Sequence, residues 1–193
     1  MLLSLLLAIG LGGAVDCAHD REALLALEPE AFDQDMEGGW RPLADRGCLQ
    51  EAADLLAAYA ALPKAVGNTM IIWHEAQMRA ELGQKAQAIA LMERSRKPAN
   101  PADPGYWNVY VDGMLAYMRQ DRSGLEQARA RLVAIPTPAG MGAEVKNGRY
   151  QFTTEGGQQV DVAWPPNLDI LDGLLRCFDK PYAEAYDSKA CRG

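Results

Sequence analysis

A chain of 193 residues, 49% apolar and 23% charged, has the size and composition of one folded domain, so neither wholesale disorder nor two independent domains is expected. A net charge of −7, an isoelectric point near 4.9 and basic residues scattered apart from Arg94, Arg96 and Lys97 exclude a phosphate-binding stripe, and with it a nucleic-acid partner.

At the N-terminus, Leu2, Leu3, Leu5, Leu6, Leu7, Ala8, Ile9 and Leu11 form an apolar run that gives way to Gly12, Gly13 and Ala14. It is shorter than the roughly 20 residues a bilayer span takes. Gly12-x-Ala14 supplies the small side chains signal peptidase accepts, so residues 1–14 read as a signal peptide cleaved after Ala14. The lack of a basic residue ahead of the run leaves a buried core helix as the other reading, and the polar sequence starting at Asp16 favours export. After removal of the leader no stable membrane insertion is expected. Cys17 close behind it raises lipid attachment, but an aspartate directly before the cysteine does not fit that processing pattern.

Cys17, Cys48, Cys177 and Cys191 are even in number and follow an export signal, which predicts two disulfides and a periplasmic or secreted location. Of the three possible connectivities, Cys17 to Cys48 with Cys177 to Cys191 joins neighbouring elements and is favoured. No C-x-x-C pair is present, so the spacing of a zinc site is missing.

Asp20 can cap a short helix carrying Ala23, Leu24, Leu25 and Leu27, which Pro29 ends or restarts. Asp33 to Gly47, with Gly38, Gly39, Pro42 and Gly47, reads as a loop pinned by Trp40 and Leu43. Asp33, Asp35 and Glu37 ahead of Gly38 look like the start of a calcium loop. Arg41 and Ala44 then stand where its later ligands belong, which excludes an EF-hand and leaves an acidic solvated loop or a looser calcium site.

From Cys48 the pattern turns helical: Leu49, Ala52, Ala53, Leu56, Tyr59 and Ala60 share a face, and Pro63 closes the element. Asn68 can cap a helix through Met70, Trp73, Ala76, Ala80 and Leu82, which Gly83 interrupts before Ala86, Ile89 and Met92 continue on a second helix. Asn100-Pro101 through Pro104-Gly105 breaks the chain. Another helix pair follows, Trp107 to Arg119 and then Leu125, Ala128, Leu132 and Val133 up to Pro136. Tyr150, Phe152 and Thr154 alternate with polar residues, Glu155-Gly156-Gly157 supplies a turn, and Val160, Val162 and Trp164 alternate again, the pattern of one β-hairpin at about 150–164 whose apolar face must lie on helices. Pro165-Pro166-Asn167 starts a helix through Leu168, Leu171, Leu174 and Leu175 to Cys177, and Pro181 opens a last short one.

Catalytic groups are few. His74-Glu75 lacks the second histidine of H-E-x-x-H, Ser95, Ser123 and Ser188 lack a G-x-S-x-G elbow, and paired thiols are not nucleophiles. Asp169 and Asp172 share a helix face and could serve a metal or acid–base work, but a helix N-terminus favours acids without any function. No catalytic, cofactor-binding or metal-ligating residue is therefore expected, and the chain is not expected to be an enzyme.

Helix pairs recurring at about 34 residues are the signature of stacked repeats. Met70 to Pro101 resembles a tetratricopeptide repeat (TPR), with Gly83 at the inter-helix turn, Ala88 at a small position, Met92 at a large apolar one, Asn100-Pro101 near the closing proline and Ala76 at the small site of the first helix. Glu75 and Arg79 depart from that pattern, standing where large apolar or aromatic residues are wanted. Trp107 to Pro136 resembles a looser copy with Tyr110 and Tyr117 at aromatic positions and a stretched turn at Asp121 to Gly124, and Cys48 to Pro63 resembles the second helix of a preceding repeat. The resemblance covers about half the chain, and a plain helical bundle is the competing architecture.

The resemblance implies a concave groove lined by the first helix of each pair, with Trp73, Gln77, Glu81, Asn108, Val111 and Leu115 facing it. The partner such a groove implies is another protein or an extended peptide, and the acidic charge suits a basic one. The expected fold is mainly α, a short antiparallel helix-pair (TPR-like) stack with one inserted β-hairpin, residues 15–193 forming a single domain. The expected function is protein binding by an exported, TPR-like protein. The alternatives are an immunity or inhibitor protein neutralising a secreted toxin or hydrolase, an envelope assembly adaptor, and an unrecognised hydrolase.

Overall fold

The computed structural model describes residues 15–99, 105–136, 145–146, 148–153 and 159–192. The expected signal peptide (1–14), the break at Asn100 to Pro104 and the turn at Glu155 to Gly157 lie outside them.

The described chain is mainly α, with helices packed as consecutive pairs. α1 (Arg21–Ala26) starts where the Asp20 carboxylate accepts from the Ala23 N–H at 3.0 Å, satisfying one of the donors a helix start leaves bare. The stretch expected as loop instead holds two helical turns, α2 (Pro29–Asp33) and α3 (Arg41–Asp45). Each carries proline in its first turn, where the missing N–H costs nothing. Gly39 between them adopts φ +58°, and a Cβ there would lie 1.9 Å from the Phe32 carbonyl oxygen, so only glycine lets the chain fold back over α2.

α4 (Leu49–Ala60) buries Ala52, Ala53, Leu55, Leu56 and Tyr59 on one face. Tyr59 fixes the N-terminal segment to it: its ring stacks on Phe32 with centroids 3.6 Å apart, and its hydroxyl donates to the Leu27 carbonyl at 2.7 Å. Burying a ring of this size contributes about 2 kcal/mol or more. A short 3-10 turn at Pro63–Ala65 leads to α5 (Thr69–Glu81), whose Asn68 cap accepts from the N–H groups of Met70 and Ile71.

α5 is the wall between two cores. Trp73, Ala76 and Ala80 belong to the larger one, whereas Ile71 and Met78 belong to the N-terminal one with Phe32, Trp40 and Leu43. A helix buried on both sides cannot show a single apolar stripe. α5 pairs with α4 and with α6 (Lys85–Arg94), and α7 (Tyr106–Met118) pairs with α8 (Arg122–Ala134).

Strands β1 (Val145–Lys146), β2 (Arg149–Thr153) and β3 (Gln159–Ala163) pair antiparallel, with Arg149 opposite Ala163 and Thr153 opposite Gln159. Tyr150 is buried against Trp164, which meets the Tyr106 ring of α7 edge-on. The chain then returns to the helices. α9 (Leu168–Arg176) packs on α7 and α8, and a Cβ at Gly113 of α7 would meet Leu171 Cδ2 at 2.7 Å, which shows how closely α9 approaches. Short helices α10 (Tyr182–Asp187) and α11 (Lys189–Arg192) follow, α10 lying against α5.

Two disulfides, Cys17–Cys48 and Cys177–Cys191, close the pairing favoured from the sequence. They suggest an oxidising, extracytoplasmic location. Among the described residues, no helix is long and apolar enough to cross a membrane.

Candidate functional site

The six positions assigned to a concave groove part company in the structure. Trp73, Val111 and Leu115 are not groove residues, because they are buried in the core that also holds Leu171, Leu174, Tyr182 and Ala185. The reason is α9 and α10, which cover the first helices of the pairs and take the place a ligand would have. Gln77 is partly exposed, but its amide donates to the Tyr186 hydroxyl of α10 at 2.7 Å. Asn108 bonds both backbone groups of Lys97, accepting from its N–H at 3.0 Å and donating to its carbonyl at 2.9 Å, so its amide holds the linker after α6. Glu81, partly exposed at the end of α5, borders two surface clefts.

The first cleft, of about 390 Å³, lies where α3 and the start of α4 meet α5. Trp40 and Met78 contribute its nearly buried floor, and Met36, 72% exposed, stands at its edge. Arg41 sits 4.7 Å from the Trp40 ring centroid and donates to the Asp33 carbonyl oxygen, and Asp45 and Glu81 add carboxylates to the lining. An apolar floor of Trp and Met with Arg beside it is the composition that carries binding energy at protein interfaces.

Asp33 holds this cleft in shape from behind. Its buried carboxylate, 1% exposed, accepts from the Trp40 indole N–H at 3.2 Å and from the Gln34 amide at 2.6 Å, and pairs with His74 Nδ1 at 2.6 Å. Burial pushes the Asp33 carboxyl up, but the hydrogen bond and charge of His74, with the bonds from Gln34 and Trp40, outweigh it and hold the group below its ordinary range. Asp33 therefore points inward, away from the solvated side of the loop, and does not converge with Asp35 and Glu37 on a cation.

The Asp33–His74 pair orients an imidazole, as a hydrolase would require, but the other partners of that chemistry lie elsewhere. Ser95 is buried and donates to Met92 O, Ser123 accepts from Gln127, and Ser188 accepts from the Ala190 N–H, so each described serine is engaged on its own helix. The four cysteines are oxidised. Cys17 and Cys48 lie beside Glu51, but a disulfide offers no thiolate to a metal. Asp172 and Asp169 pair with Arg129 and Arg192, each at 2.7 Å, and so tie α9 to α8 and α11.

The departures Glu75 and Arg79 are both buried. Arg79 reaches Asp54 of α4 at 2.7 Å, Glu75 at 3.5 Å and Gln84 at 3.1 Å, so an ionic cluster joins α4, α5 and the start of α6 where side chains of a repeat would pack. Burial raises the Glu75 carboxyl above its ordinary range despite Arg79.

The second cleft, of about 250 Å³, lies between the ends of α5 and α7 and the start of α10, with Tyr117 and Met118 toward the core and Lys85, Gln120 and Ala183 exposed. Tyr117 donates to the Lys180 carbonyl; burial, then the charges of Glu184 and Asp179, push its hydroxyl up to about 12, so it stays a donor.

No family model matches the chain, and neither a curated protein nor a solved structure does.

Proposed function

We propose that this chain is an exported, TPR-like binding protein of the periplasm or exterior, with a hairpin inserted at about 150–164, and that it recognises another protein without catalysis. The observation that carries the reading is the Trp40 cleft: an apolar floor with exposed Met36 at its edge, on a segment tied down by Cys17–Cys48 and by Asp33. A large apolar side chain left exposed beside a cleft on a disulfide-tied frame supports recognition, because the ordering entropy is already lost before the partner arrives. The contact surface assigned here is the Trp40 cleft rather than the first-helix groove, since α10 already lies on that face.

A narrower reading, an immunity or inhibitor protein for a basic toxin or hydrolase, is favoured by the net charge of −7 and by Asp45 and Glu81 at the cleft. Acidic surfaces steer basic partners and speed their encounter.

The test is parallel capture from the native envelope with the disulfide-intact protein and with Met36→Lys. A protein retained in stoichiometric amount by the first and lost by the second is expected. Equal retention by both, or turnover of a substrate without any retained protein, contradicts the reading.

A further inference from the structure

We propose that Met36 is an oxidation site: a peroxide converts its thioether to the sulfoxide and so turns off recognition at the Trp40 cleft. The second half of the inference rests on that cleft being the binding face. How fast a methionine oxidises follows the access of the oxidant to its sulfur. Met36 is 72% exposed, whereas Met78, Met92, Met114 and Met118 are at most 7% exposed and Met70 is partly buried against the larger core. Among the described residues Met36 is thus the one exposed methionine. A thiolate would otherwise intercept the peroxide first. None is present, because all four cysteines are held in Cys17–Cys48 and Cys177–Cys191.

In the reaction the sulfur lone pair attacks one peroxide oxygen. The S–O bond forms as the O–O bond breaks, and sulfur gives up two electrons. The proton of the transferred hydroxyl passes to the departing hydroxide, leaving sulfoxide and water. Position gives the product its consequence. Met36 lines the cleft together with Trp40, Ala44, Leu49 and Met78, so it belongs to the apolar surface a partner would cover. A sulfoxide replaces a polarizable apolar group, suited to aromatic contact, by a polar one. Covering its oxygen without a hydrogen-bond donor costs free energy that covering a thioether does not. Met36 lies outside both hydrophobic cores, so the fold should tolerate the change while the cleft loses its apolar edge.

In the test, the disulfide-intact protein is treated with hydrogen peroxide, quenched with catalase at intervals, and each methionine-containing peptide is followed by mass. Met36 should oxidise within about threefold of the rate it shows in the urea-unfolded protein, and Met78, Met92, Met114 and Met118 at least about tenfold below theirs. The binding probe is a peptide free of methionine and cysteine, selected from a random 12-residue phage library on untreated protein and lost on Met36→Lys. Its affinity should fall by about tenfold or more when the wild type is oxidised. With Met36→Leu treated alike the fall should be less than about twofold, since leucine keeps the apolar edge and has no sulfur.

If Met36, relative to its unfolded rate, oxidises no faster than the buried methionines, it is not an oxidation site. If oxidised wild type binds the peptide as untreated protein does, or if treated Met36→Leu weakens as much as wild type, the inference fails and the binding face stands. If no selected peptide is lost on Met36→Lys, the Trp40 cleft is not the recognition site, and the proposed function falls together with the inference.

Discussion

Asp33 shows how one buried acid organises a surface it never reaches. Its carboxylate fixes the Trp40 indole and the His74 ring together, so Asp33→Ala should cost about 2–3 kcal/mol by urea unfolding. A double-mutant cycle with His74→Ala should show coupling of at least about 1 kcal/mol. Because its folded pKa lies below the ordinary 3.8, the contribution is present above that value and is lost as pH falls through the folded one. The deficit of Asp33→Ala should therefore shrink in acid, and an unchanged deficit below pH 3 would contradict the pairing. Arg79 sits beside a carboxyl shifted the other way. Removing it takes from the buried Glu75 the guanidinium it pairs with and leaves only the charge of Arg94 to offset its burial, which already raises its carboxyl, so Arg79→Ala should cost about 3 kcal/mol at pH 7 and distinctly less near pH 4, where a protonated Glu75 needs no partner. Gly39→Ala should cost at least about 2 kcal/mol, because the left-handed backbone and the Phe32 carbonyl both oppose a Cβ. None of these roles was readable from sequence. Asp33 looks like Asp35 and Glu37 until α2 packs on α5, which brings His74 from 41 positions away.

At the level of elements, local signals were sufficient for the central helices. Asn68 caps α5 and Asp121 caps α8, and Gly83 stands at positive φ where α5 stops, each as the short-range chemistry of those residues requires. α2 and α3 were missed because glycine and proline density outweighs five-residue helices held by tertiary contact. Of the six groove positions, Trp73, Val111 and Leu115 are buried for a related reason. Helical spacing identifies the apolar positions of α5 and α7, but not whether a ligand or the chain's own helices, α9 and α10 among them, cover those positions. The disulfides separate these layers experimentally. By loop-closure entropy over separations of 31 and 14, losing Cys17–Cys48 should cost about 4 kcal/mol and losing Cys177–Cys191 about 3 kcal/mol. With Cys177 and Cys191 both changed to Ser, hydrogen exchange should rise first in residues 181–192, since α10 and α11 are too short to persist alone. Uniform acceleration across α4 and α5 instead would mean that the C-terminal helices support the whole stack.

At the scale of the whole molecule, an acidic, disulfide-tied helical stack covers its own inner face and leaves a Trp- and Met-lined cleft at one edge. The proposed recognition depends on that edge. The most direct measurement is site-specific photo-crosslinking in the native host, with a photoreactive side chain at position 36 and, as control, at position 133, where Val133 on α8 is 47% exposed and lies outside both clefts. One discrete covalent adduct with a second protein is expected from position 36 and none from position 133. An adduct from both positions alike, or from neither, would contradict it.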